Sequence, residues 1–250
     1  MSNFDFAAAI ATRPAGDTRE QLVAAYGDPL AGSRSGSQKG WFEPSDTYRT
    51  GRLVRIATAD LPGFPDYPGQ KTTSITLNRA VEPVFRATWA ELVRRGLNTR
   101  LRTYDGSLAC RHMGHDVRRP ISVHAYGAAI DFDARWNGYG VPLERMGIDR
   151  EVVRCFEECG WEWGGRWADP YEDGMHFQWT DPLAGVRQAE WRDAMARPQG
   201  PVIPANWVQV RDAATGKPIP GQWVSSQRRA DGSIIPFQVQ RDRLIAAGVR

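Results

Sequence analysis

The chain has 250 residues, 41% of them apolar and 24% charged, a composition that suits a soluble globular fold with a sizeable core. Its 32 basic and 29 acidic residues leave a net charge of +3, too small a surplus to argue for a nucleic-acid partner. No run approaches the roughly 18 uninterrupted apolar residues of a membrane span. The start, Met1 to Ile10, lacks a basic stretch followed by a long apolar one, so the expectation is synthesis in the cytoplasm without a classical export signal. Three cysteines, Cys110, Cys155 and Cys159, are too few, and odd in number, for a disulfide framework.

In chain order, residues 1–50 read as a loop-rich segment with a short helix over about Thr18 to Tyr26. A strand follows at Arg52 to Ala57, then a turn-rich connection marked by Pro62, Gly63, Pro65, Pro68 and Gly69. Helical spacing of Val81, Val84, Phe85, Thr88, Trp89 and Leu92 predicts a helix over about 79–95, with Asn78 as N-cap and Gly96 as the stop. A strand is expected at Leu97 to Thr103. A second helix is expected at Asp149 to Cys159, capped by Asp149 and ended by Gly160, with a short strand at Trp161 to Trp163. The main domain is taken as 51–196, followed by a linker at 197–204. A β-rich appendage at 205–250 would have strands at Trp207 to Val210, Gln222 to Val224 and Ile234 to Val239.

Two segments carry chemistry. In the first, residues 122–133, strand alternation after Gly127 puts Ala129, Asp131 and Asp133 on one face, and Gly127 suits a turn that returns His124 toward Asp131. In the second, residues 173–179, His176 and Gln178 share a polar face opposite Phe177 and Trp179, and Asp173 lies three residues upstream of His176. Two imidazoles and a carboxylate form a known catalytic zinc set with a fourth position for water, and a further carboxylate can move the water's proton. Ser122, Asp133 and Gln178 are candidates to orient the ligands. Spacing alone leaves open a plainer reading, in which His124 is a hydrogen-bonded loop histidine and Asp131 a turn residue.

Together the segments resemble the M15 family of metallopeptidases. The family pattern Ser-x-His-x-x-Gly-x-Ala-x-Asp is met by Ser122, His124, Gly127, Ala129 and Asp131. The later Asp/Glu-x-x-His, in a Trp/Gly-rich context, is met by Asp173 and His176 after Trp163 to Trp167. Tyr104-Asp105-Gly106, leading to Cys110 and Arg111, is similar to one branch. The resemblance, over about residues 50–180, implies an α+β fold: a small central antiparallel sheet with flanking helices, as in Hedgehog domains and DD-peptidases. It implies Zn2+ on His124, Asp131 and His176, with Asp173 as general base. It also implies an arginine near the metal, Arg111 by position or else Arg102.

The resemblance further implies an enzyme hydrolysing amide bonds of bacterial peptidoglycan, an L-Ala-D-Glu or cross-bridge endopeptidase of a phage or prophage lysin acting on the cell wall. The alternatives are a D-alanyl-D-alanine carboxypeptidase or dipeptidase, and a non-enzymatic zinc module that binds the cell wall. The presence of Asp173 speaks against the last, because a structural zinc needs no proton shuttle.

His112 and His115 are read as a loop at the cleft rim, Cys155 and Cys159 as buried helix-face thiols, and Glu157 and Glu158 as a solvated face. Trp161 is read as core, while Trp163 and Trp167 stand open between core and cleft wall. The basic tail after Ala205 could hold an anionic cell-wall polymer or simply pack as an appendage.

Overall fold

The computed structural model describes residues 4–168, 171–181, 207–211 and 218–225. The chain divides into two compact units, Met1–Gln188 and Ala189–Arg250, so residues 1–50 fall within the first. That unit runs α1 (Phe6–Thr12), α2 (Arg19–Tyr26), β1 (Arg34–Ser35), β2 (Phe42–Glu43), α3 (Asp46–Arg52), β3 (Leu53–Ala57), β4 (Ser74–Asn78) and α4 (Glu82–Arg94). It continues with β5 (Tyr104–Gly106), β6 (Ala129–Phe132), α5 (Ala134–Asn137), α6 (Arg150–Glu158), β7 (Glu162–Trp163) and β8 (His176–Gln178). In the second unit, β9 (Trp207–Arg211) and β10 (Pro218–Ser225) pair antiparallel. The linker expected at 197–204 and the strand expected at Ile234 to Val239 lie outside the described residues.

The centre of the first unit is a four-stranded antiparallel sheet in the order β5-β6-β8-β7, beside a β3-β4 hairpin. Helices flank it, and the architecture is the α+β arrangement expected. Alternation along β6 and β8 separates two faces. Ile130, Phe132 and Phe177 point into the apolar core. There Phe132 stacks on Trp89 of α4 at 6.2 Å between centroids, and Phe177 stacks on Phe156 of α6 at 4.3 Å. Burying such rings at about 25 cal/mol per Å2 is the main force holding α4 and α6 against the sheet. The opposite face carries Asp131 and His176, which are direct cross-strand partners.

The two long helices form for local reasons. On α4 the buried side chains Val84, Phe85, Thr88, Trp89 and Leu92 make one apolar stripe, and Pro83 sits in the first turn where its missing N–H costs nothing. Gly96 ends the helix at a φ of 68°. On α6 the Asp149 carboxylate accepts the Glu151 amide at 2.8 Å as an N-cap, and Val152, Val153, Cys155 and Phe156 face inward.

Two expectations need correction. Asn78 is not the N-cap of α4. Val81 holds that place without a side-chain bond, while buried Asn78 donates to the carbonyls of Tyr26 (3.1 Å) and Tyr126 (3.0 Å) and clamps two chain segments. Leu97 to Thr103 is not a strand either. Asn98–Arg100 form a 3-10 turn, with Asn98 donating to the Pro62 carbonyl at 2.8 Å. The amides of Arg102 and Thr103 are bound by the Asp133 carboxylate at 2.8 and 2.9 Å, so they have none to give a ladder.

Candidate metal centre and cleft

Each candidate ligand is delivered by a different local device. Ser122 caps the 3-10 turn Val123–Tyr126, its Oγ accepting the His124 amide at 3.3 Å. The turn ends at Gly127 with φ 69°, and a Cβ there would lie 2.7 Å from the Asn78 amide nitrogen, so only glycine fits. The chain then enters β6, whose third residue, Asp131, faces His176 across the ladder.

The three side chains converge. His124 Nε2 lies 3.0 Å from His176 Nδ1 and 3.1 Å from Asp131 Oδ1, and His176 Nδ1 lies 3.0 Å from the same oxygen. The far nitrogen of each ring is occupied. His124 Nδ1 is 3.1 Å from the Ser107 carbonyl, and His176 Nε2 is 2.9 Å from Gln178 Oε1. Both partners are acceptors, so both of those nitrogens carry the proton. In the neutral rings the near nitrogens therefore present lone pairs to each other and to a carboxylate oxygen, an arrangement that repels unless a proton or a metal cation lies between them. Donors about 2.0–2.1 Å from a tetrahedral ion stand about 3.3 Å apart, close to the spacing found. The residues fit a divalent metal, and no other group of this kind occurs among the described residues.

Proton affinities agree. Burial would lower His176, but the hydrogen bond and charge of Asp131 outweigh it and push the imidazole up to about 9. Burial would raise Asp131, yet the two imidazoles hold it well below the usual carboxylate range. A site this hungry for a proton is equally suited to a metal ion.

The centre opens into a cleft of about 590 Å3, lined among others by Arg111, Arg119, Tyr139, Trp167, Tyr171 and Asp173. Asp173 is buried and pushed up to about 6, chiefly by desolvation; His176 acts to lower it and Asp131 to raise it. Its Oδ1 has no hydrogen-bond partner. Its amide is held by the Gly164 carbonyl at 2.9 Å, and a Cβ at Gly164 would come within 2.6 Å of the Asp173 carbonyl.

Of the two arginines, Arg111 lines the cleft. Arg102 instead stacks on Trp136 at 3.8 Å, pairs with Asp133 at 3.3 Å and bonds the Gly147 carbonyl. The expected ligand-orienting part for Asp133 is corrected. It lies beyond the end of β6 with φ 56°, which breaks the strand alternation, and its carboxylate serves Arg102 and Thr103. Ser122 and Gln178 do touch the ligands. Of the residues left open or set aside, Trp163 is core, Trp167 lines the cleft with its ring 5.3 Å from His176, and His115 sits at the rim. The Ser107 carbonyl escaped sequence reasoning, since a backbone acceptor leaves no trace in residue type.

With this geometry in view, residues 115–179 match the model of an M15 peptidase family described as D-alanyl-D-alanine carboxypeptidase. The match spans all three converging side chains and Asp173, and it supports the chain as an M15 family peptidase. No curated protein and no solved structure matches. No helix among the described residues is long and apolar enough to cross a membrane.

Proposed function

We propose that the chain is a zinc-dependent peptidase of bacterial cell-wall peptides, with His124, Asp131 and His176 as ligands, Asp173 as general base and Arg111 as the transition-state arginine. The observation that carries this is the meeting of two imidazole nitrogens and a carboxylate oxygen within 3.1 Å of one another, in one cleft with a buried carboxyl oxygen that has no partner. Zinc held by these three residues would supply Lewis acidity for the scissile carbonyl and the attacking water. The chain's own residues do the rest. Asp173 Oδ1 takes the proton of the attacking water and returns it to the leaving amine nitrogen. The Arg111 guanidinium faces the oxygen on which negative charge develops. His124 and His176 keep their outer protons on the Ser107 carbonyl and Gln178, so neither ring competes for the transferred proton.

The preferred substrate is an internal amide of the stem peptide or cross-bridge, cut by an enzyme of phage or prophage origin. The family description favours a second reading, release of a terminal D-alanine. Digestion of purified peptidoglycan, with the new amino and carboxyl termini identified by mass spectrometry, separates them. Internal cleavage exposes a stem or bridge amino group, whereas carboxypeptidase action releases free D-alanine. The Asp173→Ala variant should bind zinc normally and lose about 100- to 10,000-fold in turnover. Unchanged cleavage by that variant refutes the base.

A further inference from the structure

We propose that Glu162 is a positioning residue that, acting through Gln178, decides which ring nitrogen of His176 faces the metal; this rests on the metal reading above. Glu162 lies on β7 and is buried, where a carboxylate is costly unless its oxygens are filled. Both are. Oε2 accepts from Gln178 Nε2 at 2.8 Å and from the Thr180 hydroxyl at 2.7 Å, and Oε1 accepts from the Trp167 indole at 2.8 Å.

The polarity of this cluster passes to the metal. A glutamine amide has an accepting and a donating end, and nothing in Gln178 itself selects which end meets His176. Glu162 can only accept, so it draws the amide NH2 to its own side. Thr180 reinforces the choice, its oxygen accepting from Gln178 Nε2 at 2.8 Å while its proton goes to Glu162. Gln178 Oε1 is left facing His176 Nε2 at 2.9 Å, which requires a proton there, so that the ring, once neutral, keeps its lone pair on Nδ1, the nitrogen that meets Asp131 and His124. The register supports the design, since Glu162 and Gln178 are cross-strand partners and Asp131 stands opposite His176.

Glutamine at 162 could not do the same. Its amide nitrogen would confront a donor, either the Trp167 indole or the Gln178 amide. In the second case Gln178 turns over, and the His176 proton is forced onto the ligating nitrogen.

The test is zinc affinity, measured on the full chain by competition with a chromophoric chelator. Glu162→Gln and Gln178→Glu should each bind zinc about 10–100-fold more weakly, the range for groups that support a ligand histidine. The exchanged pair Glu162→Gln with Gln178→Glu should recover most of that loss. Its carboxylate at 178 still accepts the His176 proton, and the amide at 162 donates to that carboxylate while its oxygen takes the Trp167 indole. A buried carboxylate needed only for packing predicts no such recovery. Nitrogen-15 spectra of the zinc-loaded protein should show the metal on His176 Nδ1 and a proton on Nε2.

Wild-type affinity in Glu162→Gln, or a double variant no better than the singles, overturns the proposal. If His176→Ala leaves zinc affinity unchanged, the metal reading beneath it falls as well; that outcome is distinct, because it appears before any change at 162 or 178.

Discussion

At the scale of single residues, the two arginines stand in different surroundings. Arg111 lines the cleft and interacts with Asp173, whereas Arg102 is held by Asp133, Gly147 and the Trp136 ring. Arg111→Ala should therefore lower kcat by about 100- to 1,000-fold, the loss expected on removing a donor to developing negative charge. Arg102→Ala should leave kcat near the wild-type value and reduce only thermal stability. Steady-state kinetics on a synthetic stem peptide decides the matter, and the reverse ranking contradicts the assignment. The choice between these residues was not legible in the sequence, where both lie close to the Tyr104-Asp105-Gly106 segment. The candidate metal ligand His176 was more legible, because period-2 alternation alone puts it on the same face of β8 as Gln178. Alternation misled at Asp133, whose left-handed backbone ends the pattern one residue after β6.

At the scale of elements, the site depends on the turn between His124 and β6. Gly127 holds φ 69°, and the two nearest atoms a Cβ would meet are backbone, the Asn78 nitrogen at 2.7 Å and the Leu77 carbonyl carbon at 3.0 Å. Neither can move without disturbing β4. Gly127→Ala should cost about 1–3 kcal/mol, read as a Tm several degrees lower, and should weaken zinc binding because it shifts His124 relative to Asp131. An unchanged Tm would mean that the turn relaxes freely. The sequence marked this glycine, as it marked α4 and α6 by their apolar spacing. It did not mark the irregular segment at 97–103, where a strand-like composition is overridden by a carboxylate 30 residues away that captures two backbone amides. Side chain-to-backbone captures of that length have no local signature.

At the scale of the whole molecule, every residue of the candidate site lies within the unit Met1–Gln188. The α+β class was anticipated through the family resemblance, but the strand order β5-β6-β8-β7 was not, since it is set by which faces pack. A ligand bound only by the folded state stabilises that state by mass action, about 2.7 kcal/mol at 100 times the Kd. At about 2–4 °C per kcal/mol for a domain of this size, zinc should raise Tm by roughly 5–10 °C and a chelator should reverse it. The same titration on Asp131→Asn should show a much smaller shift. An equal shift in that variant would locate the stabilising ion elsewhere.

The most direct test of the metal reading is anomalous diffraction at the zinc edge from crystals grown with zinc. One peak about 2.0–2.1 Å from His124 Nε2, His176 Nδ1 and an Asp131 oxygen is the expected result. A peak bound by other residues, or none in that cleft, would contradict it.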